Sequence, residues 1–244
     1  MKFKLLSVAL LVVSSFAFAQ QKSFWKTSTR TNVTALDSRM QLPTNHVYDL
    51  DVNAIRSSLA NSPKRTAANS SVVISLPNAE GQMEQFRVYE NSTMDPALQA
   101  RYSNIRSYVG YGIDNPTSTA YFSVSPLGFK SMTLNADKPA VFIEPISQDL
   151  TQYSVYRKSD KRADLSRFEC TVLDAVAPQV EASALRPNAD DALLRTFRLA
   201  MSVTGEYTVY FGGTKALALA AIKEAYSCVF CKITGVNFSA MPSG

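Results

Sequence analysis

The chain reads as an α+β protein in which antiparallel strands dominate and helices are few and short. Three observations predict this. Between residues 72 and 156, runs rich in β-branched and aromatic residues alternate with turn signals at 78–81, Asp114-Asn115-Pro116, Ser125-Pro126-Leu127-Gly128 and 135–139. Helical spacing is confined to short stretches behind Asp51, Asp95 and Thr214. At 46% hydrophobic and 18% charged, the chain has enough apolar side chains to bury a core.

The first nineteen residues carry the pattern of a secretory signal peptide. Lys2 and Lys4 give the positive start, 5–18 the apolar run, and Ala17-Phe18-Ala19 the small-x-small cleavage site, leaving Gln20 at the new N-terminus. The apolar run is too short to span a bilayer, and no later run is longer. The expectation is export, to the periplasm or the medium, with no membrane span.

Residues 20–71 are expected to form a leader. Its first part, 20–45, is polar and loosely ordered apart from one aromatic anchor, Trp25. Asp51 caps a short helix to Leu59 with Val52, Ile55 and Leu59 on one face, and 61–71 reads as a linker. A β-rich region, 72–175, follows. Val72, Val73 and Ile74 open a strand that ends near Leu76-Pro77, and Phe86-Arg87-Val88-Tyr89 returns from the turn. Asp95-Pro96 is a cap with proline in the first helical position, and Leu98 and Tyr102 share a face of the turn or two that follow. The stretch 104–112 is irregular or extended, and strands are expected at 121–124, 129–134, 141–143 and 153–156. Residues 176–193, with Pro178 and Pro187 and no hydrophobic period, read as a second linker.

From 194 to 244 the pattern is that of a strand–helix unit. Phe197, Leu199, Met201 and Val203 alternate with Thr196, Arg198, Ala200 and Ser202. Gly205-Glu206 is expected to turn, 207–211 to extend, and Gly212-Gly213 to form a corner. Thr214 then caps a helix with Leu219, Ile222 and Tyr226 on one side.

Charge excludes little. The net +5 is diffuse, and no basic stripe interleaves with aromatics, so nucleic acid is not expected as a partner. The single histidine, His46, reads as an ordinary surface or half-buried residue. Three cysteines, Cys170, Cys228 and Cys231, leave at least one free, metal-bound or paired between chains in an oxidising compartment. Cys228-Val229-Phe230-Cys231 is a solitary C-x-x-C behind a helix rather than opening one, which argues against thiol–disulfide exchange. Gly212-Gly213-Thr214 lacks the lysine of a phosphate loop, and Gly110 with Gly112 is too sparse for a dinucleotide loop. Lys161-Arg162 and the second linker are exposed-backbone candidates for proteolysis.

Several phrases together resemble the N-terminal pro-region of secreted bacterial zinc metallopeptidases of the reprolysin-like metzincin type. They are Phe86-Arg87-Val88-Tyr89-Glu90, Met94-Asp95-Pro96-Ala97-Leu98, Ile105-Arg106-Ser107-Tyr108 with Gly110 and Gly112, Ser125-Pro126-Leu127-Gly128-Phe129, and 141–145 followed by Tyr153-Ser154-Val155-Tyr156. Residues 194–222 are similar to the start of that family's catalytic domain, notably Leu194-Arg195-Thr196-Phe197-Arg198-Leu199-Ala200 and Thr204-Gly205-Glu206-Tyr207. The resemblance implies a precursor whose pro-region assists folding and holds a cognate catalytic domain latent, with that domain barely begun in this chain. The family's catalytic zinc needs two histidines one helical turn apart with a glutamate between them, and a third histidine beyond. With His46 alone, the chain holds no HExxH, so no catalytic residue, no cofactor and no activity of its own are expected. Cys170 is the candidate metal ligand: a pro-region thiolate placed on the zinc of a full-length relative would block activation of water there. Packing beside Phe168 is the plainer reading of that residue. The alternative function is a free-standing secreted β-rich module that binds polysaccharide or protein, for which the Tyr and Phe content is the support.

Overall fold

The computed structural model describes residues 23–30, 34–36, 42–92, 94–160 and 201–234, with side chains to Ala225 in the last of these. The protein is α+β and mostly antiparallel β. Nine strands form one sheet: β1 (Trp25–Thr27), β2 (His46–Leu50), β3 (Val73–Pro77), β4 (Met83–Glu90), β5 (Arg106–Gly112), β6 (Thr119–Ser125), β7 (Gly128–Leu134), β8 (Val141–Pro145) and β9 (Gln152–Arg157). Their order is β1-β2-β9-β8-β7-β6-β5-β4-β3, and every neighbouring pair is antiparallel. From β3 to β9 the sheet is a meander, in which each strand pairs with the next in sequence. Only β2 breaks the order, by pairing with β9.

The sheet curls until its two ends meet. Tyr48 Oη on β2 donates to the Gly81 carbonyl in the β3–β4 turn at 3.2 Å, and Arg157 on β9 pairs with Glu80 in the same turn. Inside the curl a single cluster takes residues from every strand, including Ile74, Leu76, Phe86, Val88, Tyr108, Phe122, Val124, Phe129, Ile143 and Val155. Trp25 lies at its centre, 3% exposed, edge-on to Tyr48, Phe129 and Tyr153 at centroid distances of 6.4, 5.5 and 5.8 Å. Segment 20–71 therefore supplies two strands and, through Ile55 and Leu59, a helix to the same core as the meander.

That helix is α1 (Val52–Leu59), and Asp51 caps it by accepting from the Ala54 amide at 2.9 Å. The second, α2 (Pro96–Arg101), begins as expected, with the Asp95 carboxylate accepting from the Ala97 and Leu98 amides. Its Leu98 is exposed, however; Gln99 faces inward and donates to the Ile105 carbonyl at 2.9 Å, and Tyr102, just past the helix, is the apolar residue that packs there. Residues 61–71, read as a linker, are tied to the edge of β4: Ser70 is buried and donates to Val88 O at 2.5 Å, and Lys64 bridges to Glu90. The hairpin at Pro126-Leu127 needs Gly128, whose φ is +96° and where a Cβ would sit 2.9 Å from Tyr153 Oη.

Two helices follow, α3 (Gly205–Tyr210) and α4 (Lys215–Thr234). The expectation of a turn at Gly205-Glu206 and an extended 207–211 is corrected. Thr204 caps a helix there by accepting from the Tyr207 amide, and the Tyr207 ring packs at a tilt against Phe211 one turn later, with centroids 4.7 Å apart. β propensity at Tyr207, Val209 and Tyr210 is realised only against a partner strand, and none of the described strands pairs with this segment. Of the strand expected before it, 194–200 lie outside the described residues, and 201–203 are not in a strand. Gly212 and Gly213, at φ +101° and +76°, make the expected corner, and a Cβ at Gly212 would press on Leu217 at 2.7 Å. Thr214 caps α4 through the Leu217 amide.

The lone tryptophan makes the core testable. Trp25→Ala is expected to lower the free energy of unfolding by about 3–5 kcal/mol, the usual cost of deleting a buried aromatic. Trp25→Phe should cost well under half of that, because it keeps the ring contacts and removes an indole N–H that has no partner among the described residues. Urea unfolding followed by far-ultraviolet circular dichroism measures both.

Candidate functional site

The seam where α4 meets the sheet gathers the buried charges of the described protein. The apolar part of the seam is Met94, Ile105 and Ala220, with Tyr102, Leu127 and Leu219 packed around them. The helix face turned inward is centred on Ala218, Ala220 and Ala221, all buried, whereas Leu219 and Ile222 are only half-buried. The face expected from Leu219, Ile222 and Tyr226 is therefore rotated: alanines let the helix come close to β6, and the longer side chains lie along its flanks. The Tyr226 side chain lies outside the described residues.

Next to these alanines stand Lys223 and Glu224, 5% and 3% exposed. Each is held by a different part of the β body. Glu224 Oε1 accepts from Ser125 Oγ at 2.5 Å at the end of β6, and Oε2 lies 3.0 Å from Lys130 Nζ on β7. Lys223 Nζ donates to Gln99 Oε1 on α2 and to the Ile105 carbonyl before β5, both at 3.2 Å. Burial pushes the Lys223 ammonium down to about 8, against a smaller upward pull from Glu90 and with a further downward push from Arg106. Ser125 is the hub of the seam: its hydroxyl also accepts the Leu127 amide, and its carbonyl accepts from Arg56 Nη2 on α1 at 3.3 Å. One serine thus links the cap of the core, the β6–β7 hairpin and α4.

Beside this seam a cleft of about 550 Å³ opens between α3 and the β7–β8 side of the sheet. Leu127, Leu150, Pro145 and Phe211 form its apolar walls, and Lys130 and Glu144 stand at its polar side. Glu144 accepts a hydrogen bond from Tyr156 Oη. The outer face of α3 and the residues before it remain apolar and open to solvent: Val209 is 72% exposed, with Tyr210, Met201 and Val203 also exposed.

The residues singled out by sequence fall elsewhere. Cys170 lies outside the described residues, as do Lys161-Arg162 and the second linker. Cys228 and Cys231 stand on α4, and their side chains are beyond the described set. His46 sits on β2 beside Gly81, far in the sheet order from the strands that carry the seam. Among the described residues no three or more His, Cys, Asp or Glu side chains converge to hold a metal. No described helix is long and apolar enough to cross a membrane. Lys223 and Glu224 were missed from sequence, because adjacent opposite charges on a helix normally read as a solvated face. Their one signal was position, between the apolar residues Ile222 and Tyr226. Ser125 was read only as the first residue of the turn before Gly128.

The seam predicts coupled substitutions. Glu224→Gln and Lys130→Met, made singly, should each weaken docking of α4 by about 1–3 kcal/mol, since each strands a charge in or near the seam. The double variant should cost less than the sum of the two. Amide hydrogen exchange along 216–225, compared with β5–β7 in the same sample, measures both effects. Neither a family model, nor a curated protein, nor a solved structure matches the chain at a significant level.

Proposed function

We propose that this chain is the exported pro-region of a reprolysin-like zinc metallopeptidase precursor, together with the first part of its catalytic domain. In this reading the signal peptide, 1–19, directs export. The curled sheet is the pro-region body, and α3 and α4 are the first helices of the catalytic unit. The observation that carries the reading is the seam. The segment that resembles the start of a catalytic domain is seated on the segment that resembles a pro-region, through contacts too buried and specific for a passive tether. A pro-region that templates folding must grip early elements of its cognate domain in this way. The apolar outer face of α3 is the surface on which later elements of such a domain would pack.

Latency would have two sources. The sheet body occludes the first helices of the unit sterically. Cys170, in the segment between body and unit, is proposed to supply a thiolate to the zinc of a full-length relative, with Arg167 nearby in sequence favouring the ionised form. Zinc belongs to that relative and not to the described residues here, so no catalytic step is assigned to this chain.

Two measurements test the reading. Purified residues 20–244 should leave casein uncleaved with and without a zinc chelator, and turnover abolished by the chelator would refute the assignment of no active site. Added to the mature enzyme of a reprolysin-like relative, the same protein should inhibit it, and Cys170→Ser should weaken inhibition more than tenfold, or above about 1.4 kcal/mol. Inhibition unchanged by Cys170→Ser would leave latency to occlusion alone. Absence of inhibition, with retention on a polysaccharide matrix, would replace the reading with that of a secreted binding module.

A further inference from the structure

Lys223 is placed where a helix seam would ordinarily carry an apolar residue. Its ammonium is buried, and the two acceptors that hold it, Gln99 Oε1 and the Ile105 carbonyl, are neutral. Among the described residues no carboxylate lies within ion-pair distance of its Nζ. The neighbouring Glu224 turns to Ser125 and Lys130. Glu90 on β4 is engaged at 2.9 Å by Arg106 on β5. The charged groups that act on Lys223 are therefore Glu90 from β4 and Arg106 from β5, with Glu224 next to it on its own helix. A methionine or leucine would fill the same space without desolvating a charge, so this residue works against the contact it sits in.

We propose that the α3–α4 unit is seated on the sheet as a releasable body, and that the buried Lys223 ammonium is the element that sets its release. While the lysine is protonated it opposes docking; once it is neutral that opposition is gone. The inference holds whatever protein the α3–α4 unit belongs to. It turns the seam into a contact with adjustable strength, suited to a body that holds a helix during folding and must later let it go.

The sign follows from linkage. The docked lysine loses its proton near pH 8, and a released lysine in water does so near 10.5. Between those values the released state binds more protons than the docked one, so docking strengthens as pH rises, by about tenfold per unit. Below about pH 8 the full penalty applies, and release is easiest at neutral and acidic pH.

Amide hydrogen exchange on the full chain decides the matter, read at 216–225 and normalised to β5–β7 amides of the same sample. The opening equilibrium of α4 should fall by at least tenfold between pH 7.5 and 9.5, values chosen to bracket the docked lysine. Lys223→Met should give tight docking at both values with no slope. Lys223→Arg, which keeps its charge throughout, should give weak docking at both, also with no slope. An equal opening equilibrium at the two pH values in the parent protein would overturn the proposal. So would a slope that survives in Lys223→Met, since the α4 thiols or another group would then set it. Both arms are independent of peptidase inhibition, so failure here and failure of the proposed function are told apart.

Discussion

The edge-on packing of Trp25 among Tyr48, Phe129 and Tyr153 is the constraint on which the rest of the sheet depends. These four rings come from β1, β2, β7 and β9, and β1 and β7 lie four places apart in the strand order. A flat sheet would hold strands that far apart at several strand spacings, well beyond ring contact. The rings meet only because the sheet curls, and the curl is sustained because they bury a large apolar area when they do. Tyr153 carries a second duty. Its hydroxyl donates to the Leu150 carbonyl at 2.8 Å and accepts from the Phe129 amide at 3.2 Å, so a phenol deep in the core is fully paired. Burial pushes that phenol up to about 12.

The same curl places the ends of β6 and β7 where α1 and α4 both reach them. Ser125 receives Arg56 from one helix on its carbonyl and offers its hydroxyl to Glu224 of the other. Position and charge at the seam are thus consequences of core packing several strands away. The apolar contact between α4 and the body is small, built from alanines with Met94, Ile105 and Leu127. Small side chains give little burial energy each, so the polar contacts decide register and strength. A helix seated by leucines would hold harder and discriminate less.

This balance bears on the functional reading. A pro-region has two opposed requirements, to grip a nascent unit and to part from it. In the proposed reading, a seam of alanines with one carboxylate held by a serine and a lysine, and one lysine held by neutral acceptors, would suit both in a way that a leucine zipper of contacts would not. Val209 on α3 is 72% exposed and Tyr210 next to it also stands open to solvent, so α3 carries apolar surface that α4 and the sheet leave uncovered.

Sequence alone determined the local elements wherever a local cause was sufficient. Asp51 and Asp95 announce their helices because a carboxylate cap acts on amides two or three residues on. The β3–β4 hairpin and the meander from β6 to β8 were legible because their strands are separated by turn residues and pair with sequence neighbours, whereas β5, with Gly110 and Gly112 in a stretch read as irregular or extended, was fixed as a strand only by its partners β4 and β6. The Gly212-Gly213 corner was legible because left-handed backbone is a property of glycine itself. What only tertiary structure decided is what depends on distant partners. Residues 20–71 contribute β1, β2 and α1 to the core, yet nothing in His46–Leu50 names β9 as the partner of β2. Tyr207 to Phe211 is helical despite its β-forming residues, because strand preference is expressed only beside another strand. Lys223 and Glu224 read as surface charges until the sheet supplies Ser125, Lys130, Gln99 and the Ile105 carbonyl around them. Burial of a charge is a fact about its surroundings, and those surroundings lie about a hundred residues away in sequence.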